Sequence, residues 1–345
     1  MRTVTAVAPG RVNLIGEHTD YNRGLCLPFA IPLATTAVVS ARDDRVLVVS
    51  SDRAATWTGT LDDVTDRTVG GWASYVAGVL WALQELGWEV PGLEVSLSSD
   101  IPLGGGLSSS AALECAVAVA VAGLLGRPLD RATRLVLADA CRRAETEYVG
   151  APTGGLDQLA SLLASPGHGV LVDFADPASP QATPVPLDPA AAGLTILVTD
   201  TGVRHSLADG DGGYAQRRAE AEAGDPRRLR HVRTENARVR DTVAAVGAGD
   251  WAGVGRLLTA SHVSLRDDYE VSCVELDAAV DAALAAGALG SRMTGGGFGG
   301  CSIALVEKGR VDVVRNDIDA AFTAAGLPRP VHHDVVPTEG ARLLS

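Results

Sequence analysis

Residues 101–114, I-P-L-G-G-G-L-S-S-S-A-A-L-E, constrain the fold more than any other part of the chain. Alternating apolar residues before this stretch, at Leu93, Val95 and Leu97, predict a half-buried strand, and the apolar run 111–125 after it predicts a buried helix. Glycine allows positive φ and close approach to an anion, and a helix N-terminus attracts negative charge. The sequence therefore predicts a phosphate-binding loop, with a simple serine-capped turn as the alternative.

This loop does not match the common nucleotide-binding motifs. A Walker loop needs a lysine directly after its glycines, and the only lysine in the sequence is Lys308. The same absence excludes the protein-kinase arrangement, in which a strand lysine pairs with the phosphates. A dinucleotide fingerprint fits poorly, because Ser109 stands where its third glycine should be. Backbone amides and serine hydroxyls would therefore have to hold a phosphate here.

Length and charge limit the possible classes of protein. A chain of 345 residues is predicted to form two domains, and the Pro/Ala-rich segment 176–193 is the predicted linker between residues 1–185 and 186–345. The net charge of −13 argues against nucleic acids and anionic membranes as partners. The cysteines lack C-x-x-C spacing, which predicts reduced thiols in a cytoplasmic protein. Neither a signal peptide nor a membrane-spanning stretch is predicted.

A second feature is the polar stretch 8–24, which is predicted to form a loop after a short strand at 4–8. It concentrates hydrogen-bonding side chains at Arg11, Asn13, Glu17, His18, Asp20, Tyr21 and Asn22. Such a set suits a ligand with several hydroxyls, for example a sugar, because buried polar groups need partners. A metal site at His18 and Asp20 and a solvated loop are the alternatives.

Hydrophobic periodicity predicts the remaining elements in alternating order. The predicted strands are 31–41, 46–51, 170–174, 194–199, 301–306 and 331–336, and the predicted helices are 72–86, 130–148 and 310–325. The arginines at 227, 228, 230 and 233 have acids nearby in the sequence and predict a solvated helix face. Residues 295–300 satisfy G-x-G-x-x-G, but a strand follows them, so they predict a loop between two strands instead of a dinucleotide site.

Two acidic residues allow more than one interpretation. Asp157 lies just inside a predicted helix start that Gly154 and Gly155 frame, where a carboxylate is stabilised by the helix dipole. It is either an ordinary residue of a helix N-terminus or a general base. Glu145, near the end of the preceding helix, is either a magnesium ligand or a surface charge. The residue pattern alone leaves both questions open.

Three motifs together resemble those of the galactokinases, a branch of the GHMP small-molecule kinase family. They are G-R-V-N-L-I-G-E-H-T-D-Y-N at 10–22, P-L-G-G-G-L-S-S-S-A at 102–111 and S-R-M-T-G-G-G-F-G-G-C at 291–301. The E-H-T-D run is the specific one. The resemblance implies an α+β two-domain fold, with a ribosomal-S5-like N-terminal domain, a ferredoxin-like C-terminal domain and the active site in the cleft between them.

The resemblance also implies an activity and a set of site residues. The activity is MgATP-dependent phosphorylation of galactose at its anomeric hydroxyl, by a monomer or weak homo-oligomer. Asp157 would be the base, Arg11 would stabilise developing charge, and Ser110 and Glu145 would bind Mg²⁺. The sugar would contact Glu17, His18, Thr19, Asp20 and Tyr214. The ATP would contact Gly104, Gly105, Gly106, Leu107, Ser108, Ser109, Ser110 and, in its nucleotide part, Ser51.

Small departures from the family pattern bear on the sugar and not on the reaction type. Gly155 and Leu156 replace the usual Ile-Met, Thr146 replaces His or Asn, and Ala215 replaces Asn. The stretch between His205 and Tyr214 is long and rich in Gly and Asp. The alternatives are a sugar 1-kinase acting on N-acetylgalactosamine or another sugar, and a non-catalytic galactose sensor. Such sensors are damaged in the serine loop, which is intact here.

Overall fold

The computed structural model describes residues 2–151, 153–203 and 213–344. Most of the Gly/Asp-rich stretch before Tyr214 lies outside these residues. The strands are β1 (Thr3–Asn13), β2 (Leu25–Cys26), β3 (Pro28–Arg42), β4 (Val46–Ser51), β5 (Ala54–Thr60), β6 (Gly92–Ser99), β7 (His168–Asp173), β8 (Gln181–Pro186), β9 (Leu194–Asp200), β10 (Gly290–Thr294), β11 (Cys301–Glu307), β12 (Val331–Val335) and β13 (Arg342–Leu344).

Ten α-helices lie between these strands in the described residues. They are α1 (Leu61–Thr65), α2 (Ala73–Glu85), α3 (Ser109–Leu124), α4 (Arg131–Arg143), α5 (Leu156–Leu163), α6 (Gly213–Glu222), α7 (Pro226–Ala248), α8 (Trp251–Ser264), α9 (Val274–Ala285) and α10 (Val311–Ala325). Two of them, α4 and α8, continue directly into short π-helices at Ala144–Val149 and Leu265–Tyr269. The expected α+β class is confirmed.

The N-terminal part is built on a six-stranded sheet in the order β13-β1-β3-β6-β4-β5. Helix α3 consists mostly of Ala, Val and Leu and is buried on nearly every side, so it can only lie inside the structure. Helices α2, α4 and α5 pack with it against the sheet in one large apolar core. The glycine-rich loop is therefore anchored at the start of a deeply buried helix, which holds it firmly in place.

The C-terminal part has an antiparallel sheet in the order β10-β11-β9-β12. Taking β9, β10, β11 and β12 as strands 1 to 4, the spatial order 4-1-3-2 is that of a ferredoxin-like βαββαβ unit. Helices α9 and α10 cover one face. A second apolar cluster joins the two parts, because Leu14, Ile101 and Leu107 pack with residues of α7, α8, β9 and β11.

Several elements differ from the sequence prediction. The first strand was expected at 4–8 but continues to Asn13, so Arg11 lies on a strand and not in a loop. Strand β5 and helix α1 were not predicted. The segment 176–193 is not an irregular linker, because β8 pairs with β7 and a 3₁₀ turn follows at Pro189–Ala192. The domain boundary near residue 185 stays a prediction.

The five cysteines are free thiols in the described residues, and all except Cys273 are buried. None of the helices in the described ranges has both the length and the apolar character needed to cross a membrane.

Candidate active site

The glycine-rich loop connects β6 to α3. Gly104 and Gly106 have φ of 68° and 74°, and Ser108 has φ of 60°, an unusual value for a residue with a Cβ. Ser108 precedes the helix, yet its side chain makes no capping hydrogen bond to α3. The simple serine-capped turn is therefore wrong. The side chain of Ser108 therefore does not occupy the first N–H groups of α3. An anion-binding helix N-terminus uses these N–H groups to bind its ligand.

Arg11 and Asp157 form the charged centre next to this loop. Nε and Nη2 of Arg11 both lie 2.8 Å from Oδ1 of Asp157, and Nη1 donates to the carbonyl oxygen of Gly106 at 2.5 Å. Oδ2 of Asp157 accepts from the hydroxyl of Ser108 at 2.5 Å. Burial alone would lower the pKa of Arg11, but Asp157 and Glu17 raise it above its ordinary value. The guanidinium is therefore a fixed positive charge between the carboxylate and the loop.

A second acidic group lies at the first turn of α3. The hydroxyl of Ser110 donates to Oε1 of Glu145 at 2.8 Å, and the side-chain amide of Gln158 donates to Oε2 at 2.7 Å. Burial, and then the charge of Asp157, raise the pKa of Glu145 to about 7. Glu145 is not a surface charge, because only 9% of it is exposed. A buried carboxylate without a cationic partner gains stability when a cation binds.

These oxygen atoms fit a magnesium ion held jointly with a nucleotide. Mg²⁺ prefers oxygen ligands and is commonly bound by one or two protein groups together with phosphate oxygens. Within the described ranges, no group of three or more His, Cys, Asp or Glu side chains could hold a metal alone. The alternative metal site at His18 and Asp20 therefore has no support, whereas Ser110 and Glu145 form a suitable partial site.

Glu17 is buried at the contact between the first and third motifs. Its Oε1 accepts from the hydroxyl of Thr294 at 3.0 Å and from the N–H of Gly295 at 2.7 Å, and its Oε2 accepts from the amide of Asn13 at 2.8 Å. The guanidinium of Arg292 lies 3.6 Å from Oε1. A carboxylate can accept about four hydrogen bonds, so Oε2 retains room for one more.

The hydroxyl of Thr19 is hydrogen-bonded within the protein. It lies 2.7 Å from the carbonyl of Gly16 and 2.8 Å from that of Leu25, next to the thiol of Cys26. These contacts close the turn that carries His18 and Asp20. The side chain of Thr19 is therefore occupied, and its predicted contact with a ligand would have to come from its backbone.

His18, Asp20 and Tyr214 lie together in front of this turn. The rings of His18 and Tyr214 are 5.6 Å apart between centroids. Burial and the nearby charge of Asp157 raise the pKa of Asp20 to about 6, so the two carboxylates share one environment. A Cβ placed on Gly154 would lie 2.3 Å from Oδ2 of Asp20, which explains why glycine stands there. The structure thus brings Asp20 to the base of α5, beside Asp157.

Ser51 lies further away, at the end of β4. Its hydroxyl accepts from the N–H of Arg53 at 3.1 Å. Arg53 in turn donates to the carbonyls of Ile101, at 2.6 Å, and Ser99. The hydroxyl of Ser51 is therefore connected to the start of the glycine-rich loop through Arg53. Its predicted contact with a nucleotide stays a prediction.

The third motif links the other two. A Cβ on Gly300 would lie 3.1 Å from the carbonyl oxygen of Gly105, so residues 295–300 approach the glycine-rich loop closely, as the sequence predicted for a loop between two strands. Gly295 binds Glu17 at the same time. Sequence reasoning missed Arg292, Tyr269 and His231, whose side chains are hydrogen-bonded to residues of the first motif. Only Arg292 lies in a recognised motif, so the other two gave no signal.

Three family models match the chain. "Galactokinase galactose-binding signature" matches residues 2–41, "GHMP kinases N terminal domain" matches residues 74–165, and "GHMP kinases C terminal" matches residues 242–324. The matches contain Arg11, Ser110, Glu145 and Asp157. Together they include strands of the six-stranded and the four-stranded sheets.

Known proteins are similar over nearly the whole length. A galactokinase of Streptomyces coelicolor is 45% identical over 98% of this chain and 93% of its own length. A galactokinase of Mycobacterium tuberculosis is 42% identical over 98% of this chain and 99% of its own. The crystal structure of Lactococcus lactis galactokinase complexed with galactose has a TM-score of 0.90 at 32% identity, covering 99% of this chain and 95% of that one. Methanococcus jannaschii mevalonate kinase shares the fold, with a TM-score of 0.79, 18% identity and coverage of 98% and 99%.

Proposed function

This chain belongs to the galactokinase family of GHMP kinases, and we propose that it transfers the γ-phosphoryl group of ATP to the anomeric hydroxyl of D-galactose. The product is α-D-galactose 1-phosphate. One observation carries the proposal. Arg11 binds both the carboxylate of Asp157 and the carbonyl of Gly106, so the base and the phosphate loop meet at one guanidinium.

Asp157 is the general base in this mechanism. A carboxylate is a much weaker base than a sugar alkoxide, so Asp157 accepts the hydroxyl proton only as the transition state forms. Arg11 lies beside it and stabilises the negative charge that develops on the transferring group, as fixed cations do in phosphoryl transfer. No lysine is needed for this role.

The loop Gly104–Ser110 holds the ATP phosphates through its backbone N–H groups and the N-terminus of α3. Ser110 and Glu145 would hold Mg²⁺ together with those phosphates. When bound, the metal ion neutralises charge on the phosphate oxygens. Its positive charge would also offset the negative charge of the buried Glu145 carboxylate. Ser51 would contact the nucleotide beyond the phosphates.

The galactose lies against the turn 17–20 and Tyr214. Asp20 and the remaining lone pair of Glu17 accept from sugar hydroxyls, and His18 provides a neutral polar edge. Thr19 contributes through its backbone, because its hydroxyl is occupied. Tyr214 closes the sugar site from α6. These roles agree with the high density of polar groups in this segment.

A panel of sugars with coupled detection of ADP tests the proposal. We expect release of ADP that depends on galactose and on Mg²⁺, with much slower release for glucose. Faster release with N-acetylgalactosamine would identify a different sugar 1-kinase. Absence of sugar-dependent ADP release, together with measurable galactose binding, would identify a sensor without catalytic activity.

The proposal includes the state of the protein in the cell. We place it in the cytoplasm, where its free cysteines stay reduced, and we expect a monomer or a weak homo-oligomer. Light scattering at several concentrations measures the oligomeric state. A stable, concentration-independent oligomer would contradict this part.

A further inference from the structure

His18 is held in an unusual conformation. Its φ is 59°, in the left-handed region that few residues other than glycine adopt, and its side chain is buried. Burial, and then the neighbouring His231, lower the pKa of His18 to about 3, so its ring is neutral near pH 7. A neutral imidazole has one N–H and one acceptor nitrogen. Which nitrogen carries the proton decides what His18 can offer to a ligand.

Aromatic rings enclose His18. Tyr269 stacks on it with a centroid distance of 4.6 Å and an interplanar angle of 29°. Tyr21 meets it edge-on, at 6.0 Å and 81°. The ring of His231 also lies near Tyr269, with a centroid distance of 4.9 Å. Tyr269 itself is completely buried, so it is a fixed wall of the sugar turn and not a surface residue.

A chain of hydrogen bonds runs from Asn22 to His18 through two tyrosines. Nδ2 of Asn22 lies 3.5 Å from the hydroxyl of Tyr269, which lies 3.1 Å from the hydroxyl of Tyr21. The hydroxyl of Tyr21 lies 2.6 Å from Nδ1 of His18. The orientation of the Asn22 amide is fixed, because Nδ2 also donates to the carbonyl of His18 at 2.7 Å. The chain therefore begins with a group that can only donate.

The direction of this chain follows from counting donors and acceptors. If Asn22 donates to Tyr269, Tyr269 to Tyr21, and Tyr21 to Nδ1 of His18, every hydroxyl proton has an acceptor. In the opposite direction, Tyr269 would receive from Tyr21 and Asn22, and its own proton would have no acceptor among the described residues. Leaving a completely buried hydroxyl donor unsatisfied is costly. The first direction is therefore favoured.

The remaining nitrogen of His18 then carries the proton. Nε2 is buried and makes no well-formed hydrogen bond within the part of the chain that the structure describes. An N–H at Nε2 is thus available to an oxygen atom that enters the site.

We propose that Tyr269 is a positioning residue, which acts through Tyr21 to hold His18 in the Nε2–H tautomer and so presents one fixed donor to a galactose hydroxyl. The Nε2–H tautomer of His18 does not depend on the function proposed above. The role of this N–H toward galactose rests on that proposed function. Tyr269 would act without touching the sugar itself.

The surroundings of Tyr269 suit such a role. It ends the π-helix Leu265–Tyr269, and the next residue, Glu270, has φ of 57°. Glu270 is held by ion pairs with Arg227, at 2.8 Å, and with the buried Arg228, at 2.5 Å. The backbone after Tyr269 is therefore fixed by charge, and the ring has little freedom to move away from His18.

The tautomer can be measured directly by ¹⁵N NMR of the imidazole nitrogens in sugar-free protein. His18→Gln identifies the His18 signals among those of the seven histidines. We expect a protonated Nε2 and an unprotonated Nδ1 in the wild type. Tyr269→Phe, which keeps the ring stack, and Tyr21→Phe should both give a mixture of tautomers, because each removes a donor from the chain.

Galactose affinity and kinetics provide the second measurement. Loss of one fixed hydrogen bond to a neutral donor predicts a rise in the Kd and KM for galactose of about 3- to 10-fold in Tyr269→Phe, with little change in kcat. Tyr148→Phe is the matched control, since the hydroxyl of Tyr148 makes no hydrogen bond among the described residues and the residue also lies on a π-helix. This variant should leave both the tautomer and the KM unchanged.

Each result decides one part of the proposal. A proton on Nδ1 in the wild type, or a tautomer that neither Phe variant changes, overturns the hydrogen-bond chain. A changed tautomer with unchanged galactose affinity overturns the link to the sugar. Failure of the proposed function is a separate result, because it would appear as wild-type protein that releases no ADP with galactose while the NMR result stands.

Discussion

At the scale of single residues, Asp157 has contacts that a general base needs. It accepts hydrogen bonds from Arg11 and Ser108 on its two different oxygens, and it lies 146 positions from Arg11 in the sequence. Ordinary helix N-terminal residues bind their own helix, whereas this carboxylate binds the first strand and the glycine-rich loop. The contacts therefore favour the catalytic interpretation that sequence alone left open.

Replacing Asp157 tests this role. We expect Asp157→Asn to reduce kcat by about 10²- to 10⁴-fold, because the amide cannot accept the proton, and to leave galactose binding measurable. Coupled ADP detection gives the rate, and calorimetry gives the affinity. Asp139→Asn, on the exposed side of α4, is the control and should retain full activity. Substantial turnover by Asp157→Asn would show that another group is the base.

Glu145 allows a prediction about pH, because burial and Asp157 raise its pKa to about 7 from an ordinary value of 4.5. A raised pKa means that the folded state binds the proton more tightly than the unfolded state. Its contribution to stability is therefore complete below pH 4.5 and is lost as the pH rises through about 7. Metal-free protein should be less stable at pH 8 than the neutral variant Glu145→Gln.

Thermal melts of both proteins at pH 5 and pH 8 check this sign. We expect Glu145→Gln to melt higher than wild type by a few degrees at pH 8, with a smaller difference at pH 5. The same variant should need at least about 10-fold more Mg²⁺ for half-maximal activity. Glu147→Gln, on the same π-helix but exposed and paired with Arg143, should change neither property. A normal Mg²⁺ requirement in Glu145→Gln would exclude Glu145 as a ligand.

At the scale of elements, the sequence predicted long apolar segments well and short or half-exposed ones poorly. Helix α3 and strands β3, β4 and β9 agree with their predicted ranges because burial of one or both of their faces produces a clear pattern of apolar residues. Strand β5, A-A-T-W-T-G-T, is largely exposed and has no such pattern. The π-helices could not be predicted either, because one extra residue per turn leaves no clear mark on hydrophobic spacing.

Contacts between distant elements were the least predictable part of the site. Residue identities in the first motif indicated a sugar-like ligand, and the glycine-rich loop indicated a phosphate. Tyr269 gave no signal, because it lies 248 positions from Tyr21 and on an element of ordinary composition. The occupied hydroxyl of Thr19 was also invisible in the sequence, since its partners are backbone carbonyls. Such contacts depend on how the elements pack.

The junction between the sugar turn and α5 gives a prediction at this scale. A Cβ on Gly154 would lie 2.3 Å from Oδ2 of Asp20, so Gly154→Ala must displace that carboxylate. We expect the KM for galactose to rise about 10-fold or more, while the KM for ATP changes little. Gly309→Ala is the control, because no atom lies within 4 Å of the added Cβ. Equal effects on both substrates would mean that the junction does not act through Asp20.

At the scale of the whole molecule, the two ends of the chain meet in one sheet. Strand β13 pairs with β1 from Thr5 to Val7, so the C-terminal segment completes the N-terminal sheet. Leu343 also packs against Gly123 of α3, and Arg134 donates to the carbonyl of Ala341 at 2.6 Å. The boundary predicted near residue 185 therefore separates chain segments that remain connected through the last strand, and through the apolar cluster between the two sheets.

Removal of residues 340–345 tests this connection. The deletion exposes the edge of β1 and the apolar surface near Gly123, and it removes the hydrogen bonds of Gly340 and Ala341 to Ala164 and Ser161. Because each net hydrogen bond contributes about 1 kcal/mol, we expect the free energy of unfolding to fall by several kcal/mol. Calorimetry measures this loss and the number of transitions.

The deletion should also affect activity indirectly. Helix α3 begins at the glycine-rich loop and contacts Leu343 near its other end, so a loosened helix should raise the KM for ATP more than that for galactose. Deletion of residue 345 alone, which leaves β13 intact, is the control. An unchanged melting temperature in the longer deletion would mean that β13 adds nothing to the N-terminal sheet, and the large core around α3 would then be sufficient by itself to hold the phosphate loop in place.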